Sequence, residues 1–338
     1  MARSVDEVHA MLHGIWTKLE PVSRSEDAKL LELKRQESRW GSEVHLNDWD
    51  WDYYARKERS RQSSVDREKF AEYFEVRHTF GKTLRTFETL FELQFHEITG
   101  EVSTWHDSVK AYSVWDIANE AGKTGQFLGY LYSFTSADGI HNYPSSALVC
   151  SFPETSPTKP TLLHHSDVRT LFHELGHCVH NLVSATKYAI PHEGLHRDPK
   201  PAIGVLGVAS RHPIDMDITM LWNTTRRDMA GQSSDPEDWG WEQAAFGHIF
   251  RKYNAGFFAY PIAQAYASDL YATVFANNPL DPIRLNRFKE NVLRLDSSLP
   301  EGDIIKGFLG RKLKVEALLE EIVRGHSIND TKLQVTAL

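Results

Sequence analysis

Cysteine is scarce in this 338-residue chain: Cys150 and Cys178 are the only two, too few for a disulfide framework, and a reducing compartment is the simpler expectation. Long apolar runs are missing as well. No stretch reaches the roughly 18 uninterrupted apolar residues of a membrane span. The first residues, MARSVDEVHAMLHGIW, place charges and a histidine where a secretory signal needs a continuous hydrophobic segment. Basic excess is absent too. Acidic residues outnumber Lys and Arg by 46 to 38, for a formal charge of −8, and the positive charges are scattered. No nucleic-acid partner is expected from that balance. Even RKERSRQ at 56–62 reads as a solvated face rather than a binding stripe. With no internal repeat and no low-complexity tract, the exclusions leave a globular cytosolic protein, and its length suggests about two domains.

Periodicity supplies most of the remaining organisation. Apolar residues at three- and four-residue steps over 4–38 predict two amphipathic helices around a turn at Pro21–Ser25. In LNDWDWDYYARKE (46–58), Asn47 or Asp48 is placed to cap a helix whose rings pack inward. Residues 65–98 again carry a helical pattern. The Ser, Thr, Tyr and Val content of 103–117 and 125–152, with turn signals at Asp138–Gly139 and Asn142–Pro144, predicts short strands. A proline-rich link (151–160) leads into a further helix. The Pro- and Gly-rich stretch 191–213 reads as loop, and 215–230, 241–277 and 283–324 read as helical. The expected class is mainly α with a small β element, divided into an N-terminal helical part (1–100), a second region (101–324) and a polar tail (325–338).

The chemistry is concentrated in TLFHELGHCVH, residues 170–180. Val168, Leu171, Phe172, Leu175, Val179, Leu182 and Val183 fall at helical spacing, so one stripe of this helix is expected to be buried. His173 and His177 stand four residues apart, which puts both imidazoles on one face, able to share a single ion. Glu174 beside them is the candidate general base. Gly176 is expected to allow a close backbone approach. His180 reads as a residue that orients the site rather than a ligand, and Cys178 as a small packed hydrophobe.

LFHELGHCVHNLVSATKYA resembles the active-site helix of the thimet oligopeptidase, saccharolysin and oligopeptidase A family of zinc metallopeptidases. The likeness extends through LNDWDWDYYARK, VKAYSVWD, FLGYLYSF, YPSSALVCSF, MLWNTTRRDMAG, GHIFRKYNAGFFAYPIAQAYASDLYATVF and the FLGR at 308–311, in the family's order. It covers most of residues 1–324 and corresponds to the family's catalytic half. The resemblance implies a helical zincin-type fold with a channel between helical halves and one Zn2+ per chain held by His173 and His177. It also implies Glu174 as base in the hydrolysis of internal bonds of short peptides. The GHIFRKYNAGFFAY stretch resembles the family segment that supplies substrate contacts and oxyanion donors. That places His248 and Tyr260 in catalytic roles and Tyr253 in substrate binding. A donor aimed at the developing oxyanion is worth about 2.7–4 kcal/mol. Phe257 and Phe258 stand where the family shows a Tyr pair, so Tyr260 is expected to carry that task with His248.

The family's third zinc ligand is a Glu in a D-F-V-E-x-P-S-Q run, and no such run occurs here. One alignment sets RHPID in its place, with Asp215 as the third ligand. In the other, IDMDITMLWNTTRRDMAG matches a later family segment and the ligand-bearing helix is lost. His192, Glu193 and Asp217 are the remaining nearby substitutes. Two functions follow: a zinc oligopeptidase, or a relative that binds peptides without cleaving them. The expected partners are short peptides, with no nucleic acid and no membrane, for a monomer.

Overall fold

The computed structural model describes residues 4–37, 45–62, 67–117, 134–152, 160–186, 217–230, 239–247 and 257–327. It is mainly α-helical, with two small antiparallel two-stranded sheets among the described residues. By proximity the chain groups into two compact units. One comprises Met1–Ser64, Asp198–Asp269 and Lys314–Leu338, and the other Val65–Arg197 and Leu270–Leu313.

In the first unit, α1 (Val5–Glu37) is a single helix that runs through Pro21. The predicted turn at Pro21–Ser25 is therefore not there. Pro21 and Thr17 are both exposed, so the carbonyl that loses its partner to the proline ring faces water, where the loss is least costly. Both halves of α1 are also pinned by packing. Val8 is buried with Phe258 and Ile262, while Leu30 and Leu33 are buried with Tyr54. Tyr54 belongs to α2 (Asp48–Gln62), where the aromatic run splits by face. Trp51 packs inward and donates from Nε1 to Asp27 Oδ1 at 3.2 Å, but Trp49 and Tyr53 are exposed. The expected inward packing holds for only half of these rings. This unit also contains α6 (Ile218–Ala230), the short α7 (Glu242–Ala245), α8 (Ala259–Leu270) and, near the C-terminus, the last helix, Glu316–Ser327. Among the described residues no helix is long and apolar enough to cross a membrane.

The second unit is built on α3 (Arg67–Ala71), α4 (Val76–Phe91) and α5 (His165–Val183). The helical pattern read over 65–98 stops early. Glu92 takes a left-handed conformation (φ 52°), and Leu93–Glu97 leaves as strand β1. Its partner β2 (Tyr112–Asp116) pairs antiparallel from Leu93 opposite Asp116 to Glu97 opposite Tyr112. That pairing is tertiary, so local periodicity could not reveal it. A smaller hairpin, β3 (Phe134–Thr135) with β4 (His141–Asn142), turns at Gly139, whose φ of 86° suits glycine. The stretch read as one helix over 283–324 is broken into pieces. After α9 (Pro282–Phe288) come a π-helical turn (Lys289–Leu293) and a 3-10 turn (Asp296–Ser298). Helix α10 (Glu301–Leu309) then ends at Gly310, φ 72°. Pro300 starts α10 and Gly310 stops it, as each residue's backbone preference dictates.

One polar group sits deep in this second unit. Lys289 opens the π-helical turn, and its Nζ donates to Asp116 Oδ1 at 2.6 Å and to Phe91 O at 2.9 Å. Both side chains of the ion pair are about 1% exposed. Arg294 approaches the other carboxylate oxygen at 3.6 Å.

Candidate metal centre

Helix α5 is held at its entry by the chain before it. Val76 N donates to Thr161 O at 3.0 Å and Leu163 N to Phe74 O at 2.8 Å, tying the start of α5 to the start of α4. Inside the first turn, the backbone N–H of His164 donates to Asp167 Oδ2 at 2.8 Å. A carboxylate there also favours the positive end of the helix dipole.

The buried stripe follows from spacing. Leu175, Val179 and Val183 pack with Leu84 and Phe87 of α4, Leu93 of β1 and Val114 of β2, and Leu171 on the same stripe is also buried. His173 lies two residues from both Leu171 and Leu175, about 200° round the helix, so the two imidazoles emerge opposite the core and are exposed. Their Nε2 atoms stand 3.1 Å apart, with ring centroids at 4.6 Å and planes at 88°. Two nitrogens each about 2.0–2.1 Å from one tetrahedral zinc stand roughly 3.3 Å apart. The pair therefore fits a shared ion, in donor type as well as spacing.

Glu174, one position on, is half-buried. The segment beside it is fastened to α5 by Asn181, whose Nδ2 donates to Ser146 Oγ at 2.8 Å and Ser145 O at 3.3 Å. This brings Cys150 near the carboxylate. Burial pushes the Cys150 thiol above its ordinary value, and the charge of Glu174 adds to the effect. That proximity had no signature in the sequence, because the two residues sit on different elements.

A Cβ built at Gly176 meets no heavy atom within 4 Å among the described residues, so none of these makes the close approach expected there. Cys178 is half-buried against the core cluster. His180 Nε2 lies 3.9 Å from Asp296 Oδ1.

Among the described residues, no group of three or more His, Cys, Asp or Glu could hold a metal ion. Asp215, His248, Tyr253, His192 and Glu193 lie outside the described residues. Asp217 is occupied as a cap, its Oδ1 accepting from Met220 N at 2.9 Å at the start of α6. Tyr260 is exposed in the first turn of α8, its ring tilted against Phe257 with centroids 4.9 Å apart. Phe257 meets Phe246 edge-on at 5.0 Å, and Phe258 is buried in the core with Val8.

The model of peptidase family M3 matches residues 1–197 and 208–324. Saccharolysin from Saccharomyces cerevisiae is 28% identical over 412 positions, covering 95% of this chain and 57% of that protein. Oligopeptidase PhomG from Diaporthe leptostromiformis is 24% identical, covering 92% and 60%. Oligopeptidase A from Escherichia coli is 22% identical, covering 95% and 57%. The chain thus spans somewhat more than half the length of these relatives. Since 95% of 338 residues is about 321, roughly 90 of the 412 positions aligned with saccharolysin have no counterpart here.

Proposed function

The chain belongs to peptidase family M3, and on that footing we propose that it is a zinc-dependent oligopeptidase that hydrolyses internal bonds of short peptides. The observation that carries the reading is the convergence of His173 and His177 Nε2 at 3.1 Å on the exposed side of α5. Two of the relatives compared are oligopeptidases by name, and none of the three supports the alternative of a peptide-binding relative without turnover.

In this reading His173 and His177 hold the ion, with Asp215 as the carboxylate offered for a third ligand. A zinc ion bound there supplies a Lewis acid that polarises a carbonyl and acidifies water. Glu174 takes the proton from the attacking water and returns it to the leaving amine, a task suited to a half-buried carboxylate one residue from the metal pair. Tyr260 and His248 donate to the carbonyl oxygen as it gains charge, and Tyr253 contacts the peptide. The working unit is a monomer in the cytosol.

The test is hydrolysis of a quenched peptide of about ten residues. Turnover is expected to vanish on chelation and to return with added zinc. Turnover that persists in chelator overturns the proposal, and so does a zinc-loaded protein that cuts no peptide.

A further inference from the structure

We infer that Asp296 is a positioning residue for the candidate metal centre: it clasps the last turn of α5 through Ser184, beside His180, and so fixes how His177 is presented. The inference rests on the metal-binding reading above, but it concerns a residue far from the motif in sequence.

Three features make Asp296 a costly choice where it stands. Its side chain is about 1% exposed, although it carries a carboxylate. Its backbone is left-handed (φ 41°), a conformation that favours glycine. It also lies at the C-terminal end of α5, where the helix dipole disfavours negative charge. Residues under such strain persist where their surroundings over-determine them, and they concentrate at functional sites.

The surroundings here are the end of the metal helix. Ser184 caps α5, and its Oγ donates to Asp296 Oδ2 at 2.8 Å and reaches Leu293 O at 3.4 Å. Ala185 N donates to Arg294 O at 3.1 Å. Asp296 Oδ1 accepts from Ser297 Oγ at 3.3 Å and faces His180 Nε2 at 3.9 Å. The corner formed by residues 293–296 thus grips residues 180–185 at several points.

That grip bears on His177 through helix geometry. Helices fray from their ends, and the last bond of α5 is Ser184 N to His180 O. The carbonyl of His177 belongs to the turn just before it, so unwinding of 180–184 releases the peptide that aims the His177 ring. His180, three residues past His177, lies beside it on the helix surface. Residues that orient metal ligands without touching the metal commonly contribute 10–100-fold to affinity.

Cobalt titration of the metal-free full chain tests this, with the visible spectrum reporting ligand geometry. Asp296→Gly removes the carboxylate while relieving the left-handed backbone. It is expected to bind cobalt about 10–100-fold more weakly, with an altered spectrum. Asp296→Asn keeps an acceptor for Ser184 and tolerates the conformation, so it is expected to recover most of the affinity. An Asp296→Gly protein within about threefold of wild-type affinity, with an unchanged spectrum, overturns the inference. His177→Ala separates the two readings. If it too binds cobalt like wild type, the metal site itself is misassigned. A defect in His177→Ala but not in Asp296→Gly sinks the positioning role alone.

Discussion

Glu174→Gln is expected to lower kcat on a quenched peptide by about 10²–10⁴-fold, while zinc content and unfolding temperature stay at wild-type values. The substitution is nearly isosteric and the side chain is half-buried on the edge of the α5 core stripe, so packing changes little. An amide cannot accept the proton that a carboxylate takes from water, and it is this step that fails. The separation of readouts matters. A Glu174 that bound metal would give up zinc on substitution, whereas a base gives up only rate. Kinetics and metal analysis on one preparation decide between them, and a kcat within about threefold of wild type would remove Glu174 from the chemistry.

The second large effect is on stability. Lys289→Ala is expected to destabilise the fold by about 3–5 kcal/mol, because it leaves the Asp116 carboxylate buried without its closest cation. For a chain of this size that is a fall of about 10 °C in unfolding temperature. Arg294, at 3.6 Å from the other oxygen and partly exposed, is too loosely placed to substitute. Removing both charges, as in Asp116→Leu with Lys289→Met, is expected to recover much of the loss, since the pair's net worth is smaller than the penalty for breaking it. Thermal unfolding of the two proteins checks both statements. A fall of less than about 2 °C for Lys289→Ala would mean that water reaches Asp116, contrary to the 1% exposure of its side chain.

The motif and its helix were legible because they are local. The helical spacing of apolar residues from Val168 to Val183 marked a buried stripe, and the four-residue step from His173 to His177 put both rings on one face. What periodicity could not supply was anything made by distant partners. Leu93–Glu97 reads as the end of a helix until β2 pairs with it. Pro21 reads as a break until the packing of Val8 on one side and Leu30 on the other carries α1 through it. Asp116 and Lys289, like Ser184 and Asp296, lie more than a hundred residues apart, and no pattern within either neighbourhood announces the pairing. Glycine in a helix suggests close approach, yet among the described residues none comes within 4 Å of a Cβ built at Gly176.

Zinc analysis of wild type beside His177→Ala tests most directly whether His173 and His177 share one metal ion. After dialysis against metal-free buffer, wild type is expected to keep about one zinc per chain. Zinc affinities of about 10–16 kcal/mol spread over three or four ligands give about 3–4 kcal/mol for each. His177→Ala should therefore bind two to three orders of magnitude more weakly and retain almost none, with its circular dichroism unchanged. Equal zinc in the two proteins would contradict the assignment.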